Sequence, residues 1–216
     1  MCLILSTNKP GRIQDVVIRN VLENNPDGVG ALWYDTDGIL QAKKRLTSDA
    51  DEGLDFYRKC AREAESAKSQ LAVHFRKRTT GGVTLDNVQP VKAGRLMMMH
   101  NGTIEGFRPK EAELDSDSVI AGRFIGNFEA ELGTRAITSQ PFIQLLGMAA
   151  SGSRILLAQP ERSPFILVNP GLWTFISGHA FSNLYAWNSF ALTRGRYGTK
   201  ESEERLARRN RALNRF

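Results

Sequence analysis

Four short stretches of this 216-residue sequence carry residue types that do chemistry. The first is Cys2. A lone cysteine is ordinarily a small buried hydrophobe. With Met1 removed, however, a thiol and a free α-amino group would share one residue. An amine with a pKa of roughly 7.7–8.0 is a usable base near neutral pH. A nucleophile activated by its own amine requires no separate histidine. The second stretch, Val73-His74-Phe75-Arg76-Lys77-Arg78-Thr79-Thr80-Gly81-Gly82, leaves a strand and ends in glycines. His74, Arg76, Lys77 and Arg78 read either as a strand end entering a solvated loop or as a basic patch. Arginine is the side chain suited to grip a carboxylate through two parallel hydrogen bonds. In the third stretch an apolar strand, Met97-Met98-Met99, runs into His100-Asn101-Gly102-Thr103. This is either an ordinary Asn-Gly turn or a rigid platform. The platform would present the Asn101 side-chain amide beside the Gly102 N–H, the donor pair an oxyanion hole requires. Last, Ser116-Asp117-Ser118 opens a helix, as an N-cap or as a carboxylate for a substrate ammonium group.

Several elements must position these groups. Met1 to Ser6 reads as a buried strand. Gln14 to Asn25 carries Val17, Val21 and Leu22 at helical spacing and stops at the turn cluster Asn24-Asn25-Pro26-Asp27-Gly28. Gly30–Tyr34 and Ile39–Lys43 flank Asp35-Thr36-Asp37-Gly38 as a β-hairpin. Asp51–Ser66 is an amphipathic helix, Gln70–Phe75 and Leu96–His100 are strands, and Asp117–Phe128 and Phe142–Ala150 are helices. Arg154–Ala158, Phe165–Val168, Leu172–Ile176 and Phe181–Trp187 are short strands separated by turn residues. Strands and helices mix without regular alternation. The expected class is α+β, with largely antiparallel sheets packed against helices.

Composition narrows the function classes. Hydrophobic residues at 41% and charged residues at 24% are ordinary for one globular domain, which at this length builds a core without metal or disulfide staples. No apolar run is long enough to span a membrane, and no secretory leader is visible. Two cysteines do not make a disulfide framework, so the reducing cytoplasm is the expected compartment. Cys60 reads as a helix-face residue. His74, His100 and His179 are scattered in sequence and suggest no zinc site. No phosphate-binding Gly-x-x-x-x-Gly-Lys loop occurs. The net charge of +6 is concentrated at the end, where Arg194 to Arg215 holds eight basic and three acidic residues. The chain is therefore not read as a nucleic-acid-coating protein. Residues 196–216 order Glu201, Glu203 and Glu204 before Arg205, Arg208, Arg209, Arg211 and Arg215, which suits a helix dipole. This is either a solvated terminal helix or a docking segment for an acidic partner or nucleic acid.

Taken together and in this order, the stretches resemble the class II glutamine amidotransferases, a branch of the N-terminal nucleophile hydrolases. The resemblance rests on Cys2, on Arg76 and Thr79 in a His-x-Arg-x-x-Thr-x-Gly frame, on His100-Asn101-Gly102, and on Ser116-Asp117. Asn25-Pro26-Asp27-Gly28-Val29-Gly30, Asn87-x-x-Pro90 and Phe181-Ser182-Asn183 support it. It spans about residues 1–190 and implies a four-layer αββα sandwich with two mainly antiparallel sheets. Residues 1–195 would form the amidotransferase-like domain and residues 196–216 a separate basic helix.

The resemblance also implies roles. Cys2 would be the nucleophile toward the glutamine side-chain amide, forming a glutamyl thioester. Asn101 and Gly102 would be the oxyanion-hole pair. Arg76 and Asp117 would hold the substrate α-carboxylate and α-ammonium, with Thr79 and His100 completing the glutamine site. No cofactor or metal is implied. L-Glutamine is the implied substrate and a separate synthase the implied ammonia-accepting partner, docked through the basic helix; neither membrane nor nucleic acid is expected. Lys77, Arg78, Thr80 and Gln89 depart from the family pattern around the glutamine loop, and the extra positive charge of Lys77 and Arg78 suits a larger or more acidic amide. The alternatives are hydrolysis of such another amide, or an idle binding module of the same fold.

Overall fold

The structure, a computed structural model, describes residues 2–107 and 114–184. The chain begins with strand β1 (Leu3–Thr7), helix α1 (Asp15–Asn24), the hairpin β2 (Val29–Tyr34) and β3 (Leu40–Arg45), helix α2 (Ala50–Ser66) and β4 (Leu71–Phe75). It continues with β5 (Val91–Ala93), β6 (Leu96–Asn101), helices α3 (Asp117–Leu132), α4 (Thr134–Ile137) and α5 (Gln140–Ala149), then β7 (Arg154–Ala158), β8 (Ile166–Val168), β9 (Thr174–Ile176) and β10 (His179–Phe181). One sheet has the order β3-β2-β4-β1-β10-β9 and the other β5-β6-β7-β8. Every pairing in both is antiparallel.

Side-chain parity turns these sheets into layers. Successive residues of a strand face opposite sides. Leu3, Leu5, Val29, Ala31, Trp33, Val73 and Phe75 meet Val17, Val21, Leu54 and Tyr57 of α1 and α2. The alternate residues Ile4, Leu32, Tyr34 and Ala72 turn the other way, onto Met99, Leu156, Ala158 and Phe165 of the second sheet. The far face of that sheet, with Leu96, Met98, Ile155 and Leu157, is covered by Ala121 and Ile125 of α3 and Ile143 of α5. Helices, sheet, sheet and helices are stacked, which is the four-layer αββα sandwich of the N-terminal nucleophile hydrolase fold. Because both faces of each sheet are covered, the central strands read as continuous apolar runs rather than as alternating ones.

The elements sit where hydrophobic spacing puts them, with differences that have local causes. Asp49 accepts from the Glu52 N–H at 2.8 Å and starts α2 at Ala50. Helix α3 runs past Phe128 to Leu132 and ends at Gly133, whose φ of 80° suits a glycine stop. Strand β5 and helix α4 are too short to show a period and were not expected. Among the described residues the last strand is His179–Phe181; of the expected Phe181–Trp187, residues 185–187 lie outside the described residues. Ser182 leaves the sheet because its hydroxyl is taken by the Ile4 N–H at 2.8 Å and its own N–H by the Ile4 carbonyl at 2.9 Å. The proposed basic helix 196–216 lies outside the described residues.

One glycine shows how tightly the sheets approach beside the site. A Cβ on Gly30, in β2, would stand 1.9 Å from the Gln89 carbonyl oxygen. Gly30→Ala is expected to destabilise the protein by about 2–3 kcal/mol through overpacking. Chemical denaturation, read as a lower midpoint at unchanged slope, checks it.

Candidate active site

Three strand ends meet at one edge of the sandwich. The register of β1 on β4 sets Leu3 opposite Phe75, so Cys2 falls beside the residue that leaves β4, Arg76. The Cys2 thiol donates to the Lys77 carbonyl at 3.2 Å, and the Lys77 N–H points back at Sγ at 3.4 Å. The Asn183 amide donates to the Cys2 carbonyl, which ties β1 to the chain beyond β10.

Arg76 is 3% exposed. Its Nη2 donates to the carbonyls of Gly82 at 2.9 Å and Thr80 at 3.4 Å, curling the loop after β4 around its own guanidinium. The outer side of that loop is held by Asp27, whose carboxylate accepts the Arg78 N–H at 2.6 Å. Asn87 closes the far end. Its amide donates to the Gly82 and Leu114 carbonyls at 3.1 and 2.7 Å, and its oxygen accepts the Ser116 N–H at 2.7 Å. The loop is thereby tied to the start of α3, where Asp117 lies buried. The Asp117 oxygens accept the N–H groups of Ile104 at 3.2 Å and Ser118 at 2.8 Å.

His100, next to last in β6, faces α3. Its Nδ1 bonds the Ser118 hydroxyl at 2.9 Å. Gln89 clamps the same residue from the side: its amide donates to the His100 carbonyl and to Ser118 Oγ, both at 3.0 Å, and its oxygen accepts the His100 N–H. A side-chain carboxamide here does the work of a sheet neighbour. Gly102 follows with φ 145°, and a Cβ there would stand 2.3 Å from Ser153 Oγ, so only glycine fits.

Cys2, Arg76, Thr79, His100, Gly102 and Asp117 line one cavity. Six of the seven residues singled out in the sequence therefore converge, although they span more than a hundred positions. Asn101 is not among these lining residues; it is buried between His100 and Gly102, which are, with Nδ2 donating to Ser182 Oγ at 2.7 Å. The cavity is tight, ≈ 30 Å³ for the centres of water-sized occupants, which is room for about two waters.

Sequence reasoning named His74, Gln89, Ser116 and Ser118 but gave them no place in the site; they also line the cavity. Both ring nitrogens of His74, Nε2 of His100, Nη1 of Arg76 and Oγ of Ser116 are buried without a protein partner. An orphaned buried polar group costs about 1–3 kcal/mol, so this clustering marks a place built to receive polar matter. The available signal was period two: His74 alternates with Val73 and Phe75 and must face the opposite sheet. His74 and His100, far apart in sequence, become neighbours there. Among the described residues no group of three or more His, Cys, Asp or Glu side chains is placed to hold a metal ion.

Burial sets the protonation states. Desolvation pushes the Cys2 thiol up, against the lowering pull of the Lys77 backbone and the Arg76 charge. Cys60, buried in α2, is pushed up to about 12. Burial drives His74 down to about 3, helped by His100 and Arg76, and also lowers His100 despite the Asp117 charge. A histidine whose folded-state value lies below its unfolded value of about 6.5 is neutral in the native protein and gains its proton on unfolding. Its stabilisation is complete above pH 6.5 and is lost as pH falls from there toward 3. The expected slope is about 1.4 kcal/mol per pH unit for His74 in that window. His74→Gln is expected to flatten it, and urea denaturation from pH 7 to 4 measures the difference.

Known proteins align with this chain by shape rather than by sequence. The glutamine phosphoribosylpyrophosphate (PRPP) amidotransferase of B. subtilis, solved with ADP and GMP, superposes with a TM-score of 0.51 at 16% identity. The match covers 87% of this chain and 43% of that one, so this chain spans less than half the length of its structural neighbour. At that identity the likeness shows the fold alone. No protein-family model and no curated protein matches the sequence. No helix among the described residues is long and apolar enough to cross a membrane.

Proposed function

We propose that this protein hydrolyses the side-chain amide of glutamine through Cys2 and delivers the ammonia to a separate protein. The observation that carries the proposal is the convergence of a thiol, a buried guanidinium, a carboxylate and the Gly102 turn on one cavity. A zwitterionic amino-acid amide needs one cation and one anion to orient it, plus a nucleophile and donors at its reacting carbonyl.

In this mechanism Met1 is removed and the Cys2 α-amine takes the thiol proton. Sγ attacks the amide carbon, and the oxygen becomes an oxyanion. The Gly102 N–H and the second N–H of Asn101, the one not given to Ser182, receive that charge. The ammonium form of the α-amine returns the proton to the departing nitrogen, releasing ammonia and leaving a glutamyl thioester. Water, deprotonated by the same amine, cleaves the thioester to glutamate and restores the thiol. Arg76 Nη1, unpartnered and buried, takes the substrate α-carboxylate, and Asp117 takes the α-ammonium. Thr79 and His100 close the walls around them. Burial raises the thiol pKa, so a base beside Sγ favours its deprotonation.

The test is intact mass before and after 6-diazo-5-oxo-L-norleucine, a glutamine-mimicking electrophile, beside an assay for glutamate release. Loss of Met1, one adduct on Cys2 and glutamate release are expected. Retention of Met1 with no adduct would return the domain to the class of binding modules. Two free cysteines fit action in the reducing cytoplasm. Residues 1–195 are proposed as the hydrolase domain and 196–216 as the partner-docking helix. Ending the chain at residue 195 should keep glutamine hydrolysis within about twofold while weakening association with the ammonia acceptor. Equal pull-down by both lengths would sink the docking role.

A further inference from the structure

Three consecutive cations, Arg76, Lys77 and Arg78, border the cavity. Arg76 is buried, whereas Lys77 and Arg78 are exposed at its mouth. Only the backbone groups of Lys77 and Arg78 are engaged. Their side-chain charges meet no ion pair among the described residues. Among the described residues the carboxylates facing this group are two. Asp117 lines the cavity, and Asp27 lies behind the loop, where its charge acts on Arg76. Asp115, one turn away, is committed to Arg123 at 2.6 Å. The described site thus holds one more cation than carboxylates. Glutamine, a zwitterion, would satisfy Arg76 and Asp117 and leave that excess at the mouth.

We infer that the preferred substrate is an anionic glutamine derivative: a glutamine unit carrying one further carboxylate, of about dipeptide size. The inference rests on the cavity being the amide site. The size follows from the chain direction. Lys77 and Arg78 lie one and two residues outward from Arg76, roughly 4–7 Å, the reach of one additional residue on the bound glutamine. Exposed charges of this kind contribute selectivity and faster encounter rather than large affinity.

The experiment measures binding to Cys2→Ala protein by calorimetry, so no ligand is consumed. The probes are L-glutamine, the acidic dipeptides Glu-Gln and Gln-Glu, and their charge-reversed counterparts Lys-Gln and Gln-Lys. One acidic dipeptide is expected to bind about tenfold more tightly than its lysine counterpart, and which one tells the side from which the substrate is extended. The preference should shrink when salt rises from about 0.1 M to about 1 M, where the screening length falls from roughly 10 to 3 Å. It should vanish when Lys77→Ala and Arg78→Ala are added. Equal affinities, a preference that survives the double substitution, or no binding by any dipeptide would overturn the inference. Glutamine hydrolysis by the unsubstituted protein without charge preference removes this inference and keeps the proposed function. Charge-selective binding without hydrolysis of any amide does the reverse.

Discussion

Cys2→Ala is expected to reduce glutamate release from glutamine by at least about 10⁴-fold, the scale on which loss of a catalytic nucleophile acts. The physical ground is that no second thiol can substitute. Cys60 sits in the core between α1, α2 and the first sheet, protonated and out of reach. The substitution removes a single sulfur at a half-buried position, so melting temperature should shift little. Adduct formation with the diazo-norleucine probe should disappear with activity. Hydrolysis surviving in Cys2→Ala would assign the chemistry to another group and end the thioester mechanism. A protein that keeps Met1 should behave like this variant, because the thiol is then present without its base.

The second large effect belongs to Arg76. Arg76→Ala is expected to lower kcat/KM for glutamine by about 10²–10³-fold, the loss that follows when one partner of a buried charge pair is cut away. The guanidinium has two duties that can be separated. Nη1 is free for the substrate carboxylate, whereas Nη2 holds the Thr80 and Gly82 carbonyls and so shapes the loop. Arg76→Lys keeps the charge but cannot make both sets of bonds from one geometry. It should restore only part of the affinity. If the substrate carboxylate is the main client, KM rises more than kcat falls. If the loop is the main client, both parameters and the melting temperature drop together, and the carboxylate role is lost.

The architecture was legible in the sequence because burial writes periodicity. Val17, Val21 and Leu22 repeat at helical spacing, and the apolar runs Leu3–Leu5 of β1, Leu71–Val73 of β4 and Leu96–Met99 of β6 announce sheets covered on both faces. The turn cluster around Asp27-Gly28 and the acid-led start of α3 were equally plain, since capping and turn chemistry are local. Short elements were not legible. Strand β5 spans three residues and pairs with β6 alone, and the end of β10 is decided by a hydroxyl bond to a strand far away in sequence.

For the candidate site, the sequence by itself determined which residue types were available: one thiol beside a terminus, an arginine in a glycine-ended loop, an Asn-Gly turn and a helix-opening aspartate. Their chemistry follows from composition and neighbours, which the chain carries everywhere it goes. Only the tertiary structure decided that six of these groups share one cavity, that Asn101 is bonded to Ser182, and that Gln89 braces His100. It also brought His74 to His100 and left both ring nitrogens of His74 and Nε2 of His100 unpaired. Those outcomes depend on strand order and register, in which β1 lies between β4 and β10. Register is set by the summed burial of whole sheets, so no local stretch of sequence displays it.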